Sequence, residues 1–101
     1  MAIATEELES HWRIRLAGQM GLPSAAELRD GLRAWLAAGR DLEWDLEEVE
    51  EIDIAILQLL WVAEREARRT GVKVTCRASA AAIAAAREAG FVPMAGFPLS
   101  E

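Results

Sequence analysis

The sequence is poor in the residues that most often carry chemistry. It has one histidine, His11, and one cysteine, Cys76. A Cys/His zinc site needs about four such ligands, so that class is excluded, and no metal or cofactor is expected. A lone cysteine also excludes an intrachain disulfide and fits a reducing cytosol. Cys76 lies on the side of its strand shared with Val72 and Val74. A buried, inert thiol is therefore expected in preference to half of a Cys–His nucleophilic pair. No G-x-G-x-x-G or G-x-x-x-x-G-K-[ST] stretch is present to cradle a phosphate, and no G-x-S-x-G elbow is present to display a nucleophile. An enzyme is not the expectation, and no catalytic residue is assigned.

Positive charge is scarce as well. Lys and Arg total 11 against 17 for Asp and Glu, a formal charge of -6. Such a chain is repelled by phosphate backbones and by anionic lipid surfaces, so neither nucleic acid nor membrane is an expected partner. The longest strongly apolar run, Ile52 to Ala63, contains Asp53 and Gln58 and is too short to span a bilayer. The first seven residues have neither the basic region nor the apolar core of a signal peptide. A cytoplasmic protein is expected.

What remains is a chain of 101 residues, 52% of them hydrophobic and many of those alanine. This suits one small domain, residues 1–101, with a core over about 12–91 and a loose C-terminal extension over 92–101. Trp12-Arg13-Ile14-Arg15-Leu16, Leu42-Glu43-Trp44-Asp45-Leu46 and Val72-Lys73-Val74-Thr75-Cys76-Arg77 alternate apolar with polar and read as half-buried strands. A shorter strand within Ala2 to Leu8 precedes them. Ser24-Ala25-Ala26-Glu27 has capping-box spacing, and Leu28, Leu32, Trp35 and Leu36 follow at helical spacing up to Gly39. Glu47 to Asp53 reads as an acidic connection. It lacks the ligand spacing of an EF-hand loop. A long helix is expected from about Ile54 to Arg69, closed by Gly71, and an alanine-rich one from Ser79 to Ala89, closed by Gly90.

Strand and helix alternate along the chain, which implies βαβ units. The expected fold is α/β, with a mainly parallel mixed sheet of four to five strands. Sandwiched parallel strands read as continuous apolar runs. These strands carry Arg13, Arg15, Glu43, Asp45, Lys73, Thr75 and Arg77 on one side. The helices are therefore expected largely on one face. On the open face Arg13 and Arg15 are placed to pair with Glu43 and Asp45.

The long helix carries the candidate site. At about 100° per residue, Ile56, Leu59, Leu60, Ala63 and Ala67 share a core face, while Ile54, Gln58, Trp61 and Arg65 share the opposite one. Exposed large apolar groups mark interfaces, and Trp and Arg are frequent hot spots. The expected partner-binding set is Asp53, Ile54, Ala55, Ile56, Gln58, Trp61 and Arg65.

The ordered set of Leu16-Ala17-Gly18, the helix after Ser24, Trp44 to Asp53, Leu57-Gln58-Leu59-Leu60, Val72 to Cys76, the Ser79 helix start and Ala89-Gly90-Phe91 resembles the STAS domain family, named for sulfate transporters and anti-sigma-factor antagonists. The resemblance covers roughly Trp12 to Phe91. It implies a protein partner: an anti-sigma factor, a histidine-kinase-like protein or a chemotaxis component. It equally leaves open an accessory subunit of a lipid-transport ATPase complex, a small-molecule-sensing module, or a homodimer formed through the same face. In the family an aspartate-Ser/Thr-small-glycine motif opens the long helix, and phosphorylation of its hydroxyl switches binding off. Here Asp53 matches the aspartate, Ile54 and Ala55 occupy the expected Ser/Thr positions, and Ile56 replaces the glycine. No phosphoacceptor is expected.

Overall fold

The computed structural model describes residues 3–92 and 97–99. Strands β1 (Ile3–Glu7), β2 (His11–Met20), β3 (Asp41–Ile52) and β4 (Val74–Ala78) form one sheet in the order β1-β2-β3-β4. β1 runs antiparallel to β2, whereas β2, β3 and β4 are parallel. The crossovers are helices α1 (Leu22–Ala37) and α2 (Ile54–Thr70), and α3 (Ala80–Glu88) follows β4. This is the expected mixed, mainly parallel α/β arrangement, with four strands.

Period-two alternation sets the two faces of the sheet. Ile14, Leu16, Leu42, Trp44 and Leu46 point into the core, where Leu28, Leu32 and Trp35 of α1 and Ile56, Leu57 and Leu60 of α2 meet them. Trp35 meets Trp44 edge to face, with ring centroids 6.2 Å apart. A Cβ on Gly31 would lie 2.5 Å from the Trp35 ring, so the glycine makes room for that indole. Ala82 and Ala86 bring α3 close to β3.

The open face is an ion-pair lattice built on strand register. Arg13 lies opposite Glu43, and Arg15 opposite Asp45. Their side chains pair at 3.3 and 3.2 Å. Arg77 of β4 reaches Glu43 at 3.1 Å and Asp45 at 3.8 Å. Glu43 also accepts from His11 at 2.9 Å, taking the ring into the same network. Burial by itself would raise the Glu43 carboxyl. Hydrogen bonds from His11 and Arg13, with the charges of Arg13 and Arg77, outweigh it and hold the group below its ordinary value. Asp45 follows the same pattern: burial opposes, but the Glu47 N–H and Arg15 hydrogen bonds and the Arg15 and Arg77 charges prevail.

Three local expectations are corrected. The helix after Gly21 starts at Leu22, with Pro23 in its first turn. Ser24 therefore lies inside the helix, donating its N–H to the Gly21 carbonyl, and no side-chain cap forms. The acidic run from Glu47 is not a connection. It is the second half of β3, paired with β2 from Ala17–Glu48 to Met20–Ile52 beyond the end of β4. With no third strand there among the described residues, Glu47, Glu48, Glu50 and Glu51 face water while Val49 is buried.

The C-terminal segment, thirdly, is not loose where it is described. Phe91, Val92, Phe97 and Leu99 are buried, and Phe91 stacks on Phe97 at 4.9 Å. The rest of the expected extension, residues 93–96 and 100–101, lies outside the described residues, as does Ala2 of the first expected strand.

Candidate functional site

The start of α2 is fixed from both sides. The Asp53 N–H donates to the Met20 carbonyl at 2.8 Å, tying the β3–α2 junction to the end of β2. The Asp53 carboxylate accepts the Ala55 N–H at 2.8 Å, and its carbonyl accepts from Ile56 and Leu57. Asp53 is thus the N-cap of α2, satisfying donors that a helix start leaves open. At the other end Gly71 takes the left-handed conformation, φ 82°, and its N–H donates to the Arg68 carbonyl.

From this anchor the expected binding residues separate. Ile54 is 52% exposed, Gln58 and Arg65 are exposed, and Asp53 and Ala55 are half-buried. Ile56 has no exposed surface and belongs to the core, so its side chain presents nothing to a partner. Trp61 is not the free-standing indole expected. It is half-buried against the core, with the Arg65 guanidinium 4.9 Å from its ring centroid, a cation–π distance.

The buried stripe of α2 also lies slightly round from the expected face. Leu57 and Glu64 are inside, while Leu59 is only half-buried. This rotation brings Val62 to the surface at 46% exposure. Leu22, the first residue of α1, is 66% exposed. Among the described residues Leu22, Ile54 and Val62 are the exposed large hydrophobics. Leu22 and Val62 line a cavity of about 500 Å³ between α1 and α2, and Ala25, Ala55, Gln58 and Leu59 complete most of its wall. A smaller hollow of about 280 Å³ lies where β2 and β3 end, between Gln19, Gly21, Glu51 and Asp53.

Ser79 and Cys76 serve the fold. The Ser79 hydroxyl donates to the Val49 carbonyl at 2.8 Å and accepts the Ala82 N–H at 3.1 Å, capping α3 as expected. Burial, with the charges of Asp45 and Glu64, pushes the Cys76 thiol up to about 12, where it is neutral at physiological pH and a poor nucleophile. The described residues hold no cluster of three His, Cys, Asp or Glu side chains able to bind a metal ion, and no helix among them is long and apolar enough to cross a membrane.

This architecture has solved counterparts. The anti-sigma factor antagonist SpoIIAA in its unphosphorylated form superposes with a TM-score of 0.77 at 18% identity, over 91% of this chain and 84% of that one. The Bacillus cell fate determinant SpoIIAA in the phosphorylated form gives 0.74 at 18% identity, over 91% and 86%. A crystal structure of Mglu gives 0.69 at 21% identity, over 78% of this chain but only 20% of that one. At such identities these likenesses establish the fold. No curated protein matches the sequence. The family model described as "Mlab, STAS domain" matches residues 3–91, nearly the whole described chain, and the protein belongs to that STAS domain family.

Proposed function

We propose that this protein is a regulatory STAS domain that binds a signalling protein through the start of α2 and is not switched by phosphorylation there. Asp53, Ile54, Ala55, Gln58, Trp61 and Arg65 supply the surface, with Ile56 holding it from beneath. The observation that carries the reading is the exposure of Ile54, 52% accessible at the first position of a rigidly capped helix. An isoleucine so placed loses contact with water only when something docks on it. The similar structures are of an anti-sigma factor antagonist in unphosphorylated and phosphorylated forms. An anti-sigma factor, a related histidine-kinase-like protein or a chemotaxis component is the partner class proposed here. Neither Ile54 nor Ala55 has a hydroxyl, so the charge of about -1.5 to -2 that phosphorylation places at a helix N-terminus is ruled out at both positions. Binding is constitutive.

Incubation with candidate partner kinases and ATP tests the missing switch. No phosphate is expected on the peptide containing residues 53–56, and a labelled peptide from that segment contradicts the proposal. Affinity capture from the native cell, repeated with Ile54→Asp, tests the surface. Match to the Mlab family model favours a second reading, an accessory subunit holding a transport ATPase chain through the same face. Identification of the captured chain as a transport ATPase selects that reading.

A further inference from the structure

The groove between α1 and α2 has an end-to-end polarity that reaches beyond the α2 start. β2, β3 and β4 are parallel and joined in order through α1 and α2, so the two helices run side by side in the same direction. Leu22 and Ile54 both stand at a first helical position and mark one end. Val62, two turns along α2, continues the apolar wall. Eleven residues beyond Leu22 and Ile54 the corresponding positions are Arg33 and Arg65, both exposed. Arg29 lines the groove between these ends. Arg33 follows it four residues later on the same helix face. Neither Arg29 nor Arg33 has an ion-pair partner among the described residues. The groove therefore begins at bare Leu22 and ends with unpaired guanidinium on its α1 wall, Arg29 standing at the height of Val62 across from it, on a protein whose net charge is -6.

We propose that this groove is a docking site for an amphipathic helix of a partner protein, apolar where it meets Leu22, Leu59 and Val62, and carrying carboxylates on its α1 side where it meets Arg29 and Arg33. The inference rests on the protein-binding reading above and specifies its ligand. An apolar cavity of about 500 Å³ suits anchoring side chains projecting at i, i+3, i+4 and i+7 from a helix. The arginines give direction, since a reversed or basic helix sets like charge against like charge or leaves the guanidinium groups uncompensated. A second copy of this chain is a poorer occupant. Two acidic chains repel each other, and a two-fold pairing of the groove sets its arginines either against their equivalents or against the apolar end of the other copy.

The test uses two synthetic peptides of about 18 residues, roughly 27 Å as helix. Both carry the leucine stripe at one end. One has glutamates flanking the other end, and its counterpart has lysines at the same positions. Binding to the full chain is followed by amide chemical-shift changes. The acidic peptide is expected to bind saturably, about tenfold or more tightly than the lysine peptide, with shifts centred on Leu22, Arg29 and Val62. The preference is expected to shrink with added salt. Arg29→Glu with Arg33→Glu should invert it, and Val62→Asp should abolish binding of both peptides while the circular dichroism spectrum stays unchanged.

Equal affinity for the two peptides, no saturable binding, or shifts confined to another face overturns the proposal. A concentration-dependent dimer in sedimentation that Val62→Asp dissolves assigns the groove to a second copy and overturns it too. If Ile54→Asp abolishes capture of the cellular partner while Val62→Asp and the double arginine variant leave it intact, docking at the α2 start stands and the groove inference alone fails.

Discussion

The open face of the sheet and the groove between α1 and α2 both meet solvent, and they are built in opposite ways. On the sheet, Arg13, Arg15, Glu43, Asp45 and Arg77 are paired across strands. The face is polar, but its charges already satisfy one another. In the groove, Leu22 and Val62 are exposed with no covering segment among the described residues, as is Ile54 at the start of α2, and Arg29 and Arg33 have no ion-pair partner there. Exposure therefore has two meanings in one small domain. The first surface is completed by its own strands; the second, on the proposed reading, is completed by another molecule. That reading assigns stability to the sheet and recognition to the helix pair.

Variants on the two sides of this contrast sharpen it. The largest expected effect is Trp44→Ala, which removes a fully buried indole from the centre of the sheet and the edge-to-face contact with Trp35. It should cost about 3–5 kcal/mol in urea-induced unfolding. Next is Asp45→Ala, which takes the shared carboxylate from Arg15 and Arg77. Both arginines are about half-exposed and regain water, so the loss expected from thermal unfolding is about 1 kcal/mol. Partner affinity should be unaltered. A change in affinity from Asp45→Ala would break the separation of the two surfaces.

Acid supplies a third probe. Glu43 and Asp45 are both held below their ordinary values in the fold. Their contribution to stability is complete above the unfolded-chain values near about pH 4 and is lost as pH falls through the lower folded values. The melting temperature should therefore decline on acidification below that point. The decline should be shallower in Arg77→Ala, where part of what depresses both groups has gone. The smallest effect belongs to Arg69→Ala, which removes an exposed i,i+3 pair with Glu66, at 2.8 Å. Calorimetry should register no resolvable change in stability.

Much of the sheet was legible because alternation is a local signal. The facing of Arg13 with Glu43 and of Arg15 with Asp45 followed from reading each strand alone, and the register confirms both pairs. The second half of β3 was not legible. Glu47-Glu48 and Glu50-Glu51 break the alternation, because that stretch passes beyond β4 and is wet on more than one side. Pairing with β2 keeps it extended, and pairing is not written in the segment itself.

The buried Phe97 and Leu99 escaped for a related reason. They follow Pro93 in a stretch with no period, and only tertiary packing covers them. Ser24 showed that capping-box spacing loses to an earlier start when a proline fits the first turn. Of the proposed surface, the family motif points to Asp53, Ile54 and Ala55, and the helix wheel points to Ile54, Gln58, Trp61 and Arg65. The exposure of Leu22 and Val62 is not legible in the sequence. Leu22 sits between Gly21 and Pro23, a pattern that reads as a turn, and the exposure of Val62 depends on how α2 rotates against the sheet.

The central claim is that the start of α2 binds a partner through bare apolar surface. Titration calorimetry of the identified partner against the native chain and Ile54→Asp tests it most directly. A loss of about 2 kcal/mol, roughly a 30-fold weaker Kd, with an unchanged melting temperature is predicted. An unchanged Kd for a folded Ile54→Asp protein would contradict it.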